Sequence, residues 1–253
     1  MEDVPGVGNE EIERWCKEIL SVEDEGEDEI AGKLGVTLPV FPRVGSEHEH
    51  LARKNKRPFG ATSELLPAVA ASLQPDSLLP RIRGPVPDIT YGIKPSAFNT
   101  PQEICHNQPP LNEIHQPIAD LYWPFLAVEI KSQAKGGSLY VATNQCAGSG
   151  SACVKAMDIL STDYPLSNDT PLLAFSCAVD GGTAKLYVHW QSSPGEFHLA
   201  TIQRYLLSDP QYLHDLYRHV YSIIHWGTHE RLSYIRRVLD ARSAARLQES
   251  PAH

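Results

Sequence analysis

Hydrophobic residues recur every three or four positions at both ends of the chain, and this spacing predicts helices there. Residues 9–20 place apolar side chains at this interval behind Asn9, which we expect to act as the N-cap. Near the other end, Asp209 and Pro210 predict a helix start, and the apolar stripe that follows ends at Gly227. A last helix is predicted across residues 232–239.

The middle of the chain has the two-residue alternation that is typical of strands. A strand is predicted in the segment PVPDITYGI, which begins at Pro85, and another over residues 123–131. In the second strand, alternation places Glu129 and Lys131 on one face and Ile130 on the other. Residues 172–179 and 184–190 flank an Asp-Gly-Gly turn and predict a hairpin.

Two further helices are predicted between these strands. One covers residues 63–73, and the other covers residues 138–160, with small side chains facing a sheet. Residues 92–117 are rich in Pro, Asn and His and are expected to form a long irregular loop. The pattern therefore predicts an α/β (α+β mixed) protein, with a central mixed sheet flanked by helices and helical extensions at both ends. We place a helical and acidic extension at residues 1–60 and a single domain at residues 61–247.

Composition and charge narrow the class of protein. The chain has 253 residues and a net charge of −9, which does not favour nucleic acid as a partner. Part of the excess negative charge lies in the acidic run at residues 23–29, which we interpret as a solvated linker. Five cysteines without a CxxC pair favour an intracellular, reducing compartment, either cytoplasmic or nuclear. No apolar stretch is long enough to predict a membrane span.

Asp88 follows Pro87 at one predicted strand, and Glu129-Ile130-Lys131 ends the next. Two carboxylates from adjacent strands are the hard oxygen ligands that Mg²⁺ or Mn²⁺ prefers, and the backbone carbonyl of Ile130 is a third candidate ligand. An ammonium group such as that of Lys131 would position the attacking water or stabilise charge that develops on a phosphate. These residues predict a metal-dependent phosphodiesterase site.

The segments PDITYG and FLAVEIKS, with the NQ that follows them, resemble the PD-(D/E)xK nuclease superfamily. With LYVHW and RLSYIRRVLD, they resemble a group of fungal proteins with this nuclease-like fold, over roughly residues 85–240. The resemblance implies a restriction-endonuclease-like sheet. It assigns Asp88 and Glu129 to the two acidic positions, Lys131 to the lysine and Gln145 to a polar position on the next helix. It also matches Glu64 to an upstream glutamate carried by a helix.

Several alternatives remain open at this point. Glu129 and Lys131 also fit a surface ion pair, and Asp88 also fits a turn cap. Nuclease-like hydrolysis of DNA or RNA is the first functional hypothesis. The second is a fold reused as a small-molecule enzyme of a fungal biosynthetic pathway, with acid-base chemistry at the same site. The third is a non-catalytic interaction module that presents exposed aromatic side chains at Tyr122 and Trp123.

Overall fold

A computed structural model describes residues 7–22, 25–44, 49–60, 84–107, 116–132, 136–163 and 172–249. Within these ranges the strands are β1 Leu51–Asn55, β2 Ile89–Ile93, β3 Tyr122–Ile130, β4 Ala174–Val179, β5 Thr183–Ser193 and β6 Glu196–Leu206. The α-helices are α1 Asn9–Leu20, α2 Glu27–Gly32, α3 Thr100–His106, α4 Leu139–Asp163, α5 Pro210–Trp226 and α6 Leu232–Glu249. The helix predicted at residues 63–73 lies outside the described residues.

The six strands form one mixed sheet in the order β1-β2-β3-β4-β5-β6. Neighbouring strands are antiparallel except β3 and β4, which are parallel and are joined through α4. The predicted mixed α/β class and the β4–β5 hairpin are confirmed. The edge strands β1 and β6 were not predicted. Most residues of β1 are polar and β6 exposes many of its side chains, so neither strand has a clear apolar alternation.

One face of the sheet packs against α1, α5 and α6. Leu126, Val128 and Ile130 of β3 belong to the same buried cluster as side chains of these three helices. The rings of Trp15 in α1 and Tyr217 in α5 meet edge-on, with centroids 5.7 Å apart. Residues on both sides of the boundary that we placed at residue 60 thus contribute to one core.

The opposite face of the sheet packs against α4. The helix contacts β3 through Ser149, which donates a hydrogen bond to Glu129, and contacts β5 through Thr143, whose hydroxyl bonds to that of Tyr187. Gly150 lies against the His189 ring of β5. Small side chains allow this close approach of helix and sheet, as the sequence pattern predicted.

Two glycines of α4 provide a matched test of this packing. A Cβ at Gly150 would overlap the imidazole ring of His189, whereas a Cβ at Gly148 would meet nothing within 4 Å. Gly150→Ala is therefore expected to lower the free energy of unfolding by about 2 kcal/mol. Gly148→Ala should raise it by about 0.5–1 kcal/mol, because alanine favours the helix. Chemical denaturation measures both, and equal effects at the two positions would contradict the packing.

Two predicted helix boundaries were wrong. The residue that caps α1 is Gly8, with no side-chain hydrogen bond, so Asn9 is the first helical residue and not the N-cap. Gly227 does not end the helix either, since α5 continues through a π-helical turn at Gly227–Arg231 into α6. A Cβ at Gly227 would overlap the ring of Phe125. This glycine therefore allows close packing on β3 and does not act as a terminator.

The expected irregular loop at residues 92–117 contains α3, so that prediction was also wrong in part. Asn99 and Gln102 form a reciprocal capping box at the start of the helix. Gln102 also donates a hydrogen bond of 2.7 Å to Asp240 of α6. Tyr122 and Trp123, which the interaction-module hypothesis requires to be exposed, are 5% and 0% exposed and pack near α3.

Candidate active site

The antiparallel register of β2 and β3 brings Asp88 and Glu129 to the same edge of the sheet. Ile89 pairs with Val128, so the preceding Asp88 lies opposite the following Glu129. Side chains alternate along a strand, and Glu129 faces α4 because its carboxylate bonds to Ser149 of that helix. Asp88 and Glu129 therefore both face the α4 side, together with Lys131.

The Asp88 carboxylate is 8% exposed and is held by the backbone of β3. Its Oδ2 atom accepts a hydrogen bond of 2.7 Å from the amide of Ile130. Burial raises the pKa of Asp88, while the Ile130 amide, Lys131 and Lys56 oppose that shift. The carboxylate is thus positioned by the neighbouring strand, and it caps no turn of its own among the described contacts.

Glu129 is more deeply buried, at 1% exposed. Its Oε1 atom accepts a hydrogen bond of 2.8 Å from the Ser149 hydroxyl on α4. Burial raises the pKa of Glu129 to about 7, and the nearby Asp88 adds to that increase. A buried acidic pair of this kind is stabilised by a cation that compensates its charge.

Lys131 is the cation adjacent to this pair. Its Nζ atom donates a hydrogen bond of 3.0 Å to the carbonyl of Ile130 and lies 3.6 Å from Oε2 of Glu27. The side chain is 14% exposed, and its positive charge lowers the pKa of both Asp88 and Glu129. Lys131 is therefore partly buried within a polar cluster, and the alternative of a solvated surface ion pair does not describe it.

The acidic run at residues 23–29 is not wholly a solvated linker, and that interpretation was wrong for its second half. Glu27 and Asp28 begin α2 and form ion pairs with Lys131 and Lys56. The carbonyl of Glu25 accepts a hydrogen bond from the hydroxyl of Ser132. These contacts place the start of α2 beside the Asp88 and Glu129 carboxylates.

The two carboxylates keep free acceptor capacity for a metal ion. Among the described residues, neither Oδ1 of Asp88 nor Oε2 of Glu129 accepts a hydrogen bond. No group of three or more His, Cys, Asp or Glu side chains in these ranges is arranged to hold a metal. The carbonyl of Ile130, a predicted ligand, accepts the Lys131 hydrogen bond. A Mg²⁺ site built on one or two carboxylates with water and substrate oxygens fits this donor set.

The two remaining predicted site residues, Gln145 and Glu64, are not brought to the carboxylate pair by the described structure. Gln145 is exposed on α4, one helical turn before Ser149, and the structure gives no contact between its side chain and Asp88 or Glu129. Glu64 lies outside the described residues. Sequence reasoning missed Glu27 and the role of Ser149, because no local pattern links residues so far apart in the chain to Lys131 and Glu129.

The fold and the site define a mixed α/β protein with an acidic pair and a lysine at one edge of its sheet. A family model described as a domain of unknown function (DUF7924) matches residues 14–239, so the chain belongs to that family. No curated protein and no solved structure matches the chain. Within the described ranges, none of the helices has the length and hydrophobicity to cross a membrane.

Proposed function

We propose that this protein is a metal-dependent phosphodiesterase that hydrolyses DNA or RNA on a restriction-endonuclease-like core. The observation that carries the proposal is the placement of Asp88 and Glu129 side by side, with Lys131 following on the same face. The carboxylates would hold Mg²⁺ or Mn²⁺, which supplies Lewis acidity at the phosphate oxygens. Water would attack phosphorus and the bond to the leaving sugar oxygen would break.

The residues of the chain would each serve this reaction in a distinct way. The Ile130 amide holds the Asp88 carboxylate, and the Ser149 hydroxyl holds that of Glu129, so both acids are oriented before substrate arrives. The Lys131 ammonium group, whose charge acts on both carboxylates, would stabilise the negative charge that increases on the phosphate in the transition state.

The described structure offers less support for the two other hypotheses. An interaction module that presents Tyr122 and Trp123 is not supported, since both side chains are buried. A small-molecule enzyme would be favoured by a deep apolar pocket beside Glu129. One cleft among the described residues, of about 430 Å³, is lined by Leu51, Lys94 and Asp120 and does not include Glu129.

The direct test is incubation of labelled single- and double-stranded DNA and RNA with the protein in Mg²⁺ or Mn²⁺. Wild-type protein is expected to cleave at least one substrate, and Glu129→Gln should reduce the rate by roughly 10³-fold through loss of a charged ligand. Asp158→Asn is the matched control, because it removes a carboxylate that pairs with Lys155 elsewhere on α4. Absence of cleavage by folded wild type, or equal cleavage by Glu129→Gln, would refute the proposal.

A further inference from the structure

The register of the sheet aligns charged residues in one row across its α4 face. Glu129 pairs with Ala178, Ala178 with Lys185, and Lys185 with Arg204. On the other side, Asp88 continues the row opposite Glu129. Neighbouring strands are about 4.8 Å apart, so Lys185 and Arg204 lie roughly 10 and 15 Å from Glu129 along the row.

Lys185 and Arg204 form a cross-strand pair of like charges. Residues directly opposite in an antiparallel pair have side chains close together, and like charges there are destabilising. In the part of the chain that the structure describes, neither side chain forms an ion pair or a side-chain hydrogen bond. The protein thus carries two adjacent cations without an ion-pair partner among the described residues, and a bound anion would relieve their repulsion.

The start of α4 lies between the acidic site and this cation pair. Gly137 packs against Lys131, since a Cβ at that glycine would lie 3.0 Å from the Cβ of Lys131. Leu139, the first residue of α4, packs with Ala178 and Tyr187, which are the neighbours of Lys185. The first turn of α4 contains no acidic residue, so its amide end adds to the positive potential. The first turn of α4 thus presents no carboxylate to a polyanion that extends from Lys131 to Lys185, and the nearby Asp180 at the end of β4 accepts hydrogen bonds from Thr183.

We propose that Lys185 and Arg204 bind the phosphate backbone of a nucleic-acid strand whose scissile phosphate lies at Asp88 and Glu129. The inference rests on the proposed function for its choice of ligand. A strand of nucleic acid presents negative charges at regular, closely spaced intervals, so a strand held at Asp88 and Glu129 can also reach cations roughly 10–15 Å away. The overall charge of −9 makes such local cation pairs necessary if the protein binds a polyanion.

Binding is measured without catalysis, by titrating a labelled single-stranded DNA oligonucleotide in EDTA at several salt concentrations. The double variant Lys185→Gln/Arg204→Gln is expected to bind roughly tenfold more weakly than wild type. The slope of log K against log[salt] should also decrease in magnitude by about 1.4, or about 0.7 per lost phosphate contact. Its melting temperature is expected to equal or exceed that of wild type, because the repulsive pair is gone.

The matched control is Lys17→Gln/Arg218→Gln, which removes two exposed cations from α1 and α5 on the other side of the sheet. It should leave the salt slope near that of wild type. Equal affinity and slope for both double variants, or no binding by wild type, would overturn the proposed backbone site. If wild type binds through Lys185 and Arg204 but cleaves nothing in Mn²⁺, the backbone site stands and the hydrolytic function fails. If cleavage depends on Glu129 while both double variants bind alike, the hydrolytic function is supported and the backbone site is refuted.

Discussion

Replacing Lys131 with methionine is expected to reduce phosphodiester cleavage by about 10²–10³-fold while Mn²⁺ binding is retained. The ammonium group lies beside Asp88 and Glu129 but donates its described hydrogen bond to the carbonyl of Ile130. Removal of this charge eliminates a group that would stabilise the developing phosphate charge. It leaves both carboxylates in place and removes a positive charge that repels the metal, so the affinity for Mn²⁺ should stay equal or increase.

Single-turnover cleavage and calorimetric Mn²⁺ titration, made on the same preparations, separate these two effects. Lys155→Met is the matched control, since Lys155 lies on α4 and pairs with Asp158. We expect this control to cleave at the wild-type rate. Loss of Mn²⁺ binding in Lys131→Met would mean that the lysine maintains the structure of the site. An unchanged cleavage rate would exclude Lys131 from the reaction.

Acidification from pH 7 to pH 4 is expected to lower the free energy of unfolding by several kcal/mol through two buried histidines, and the raised pKa of Glu129 offsets part of this loss. His189 is 2% exposed and bonds to Ser176 over 2.7 Å, and burial lowers its pKa from 6.5 to about 4. His106 is fully buried beside Tyr122, and burial lowers its pKa to about 4 as well. Each shift corresponds to about 3 kcal/mol, which is large against the total stability of about 5–15 kcal/mol of a typical domain.

Proton binding determines the direction in which the free energy of unfolding changes with pH. Between pH 6.5 and about 4 the unfolded chain binds protons at these histidines and the folded protein does not. The stability that these two histidines contribute is therefore complete above pH 6.5, falls through this window, and stops falling below about pH 4. Urea denaturation at a series of pH values measures how steeply the free energy of unfolding changes with pH.

His189→Gln should flatten this pH dependence by the equivalent of one proton, although its stability at neutral pH will be lower because the ring also packs against Gly150. His214→Gln is the control, as this histidine lies partly exposed on α5 and should leave the slope unchanged. Superimposable pH profiles for wild type and His189→Gln would mean that His189 is not a buried neutral histidine in the folded protein.

Local patterns in the sequence determined much of the fold. Apolar periodicity predicted α1, α4, α5 and the β4–β5 hairpin, because burial of one face repeats at the period of the element. Alternation along β3 predicted that Glu129 and Lys131 share one face. In the structure Glu129 bonds to Ser149 of α4, and Lys131 packs against Gly137 just before that helix. The residue types Asp, Glu and Lys, with their spacing, indicated the candidate chemistry.

Only the tertiary structure decided which distant residues complete the site. Glu27 beside Lys131 and Ser149 beside Glu129 depend on how α2 and α4 pack on the sheet, and no local periodicity encodes such contacts. The same holds for the row that joins Glu129 to Lys185 and Arg204, which follows from strand order and register. The local sequence pattern determines which face each helix or strand buries. The long-range pairing of strands and helices decides which polar side chains meet at the edges of the sheet.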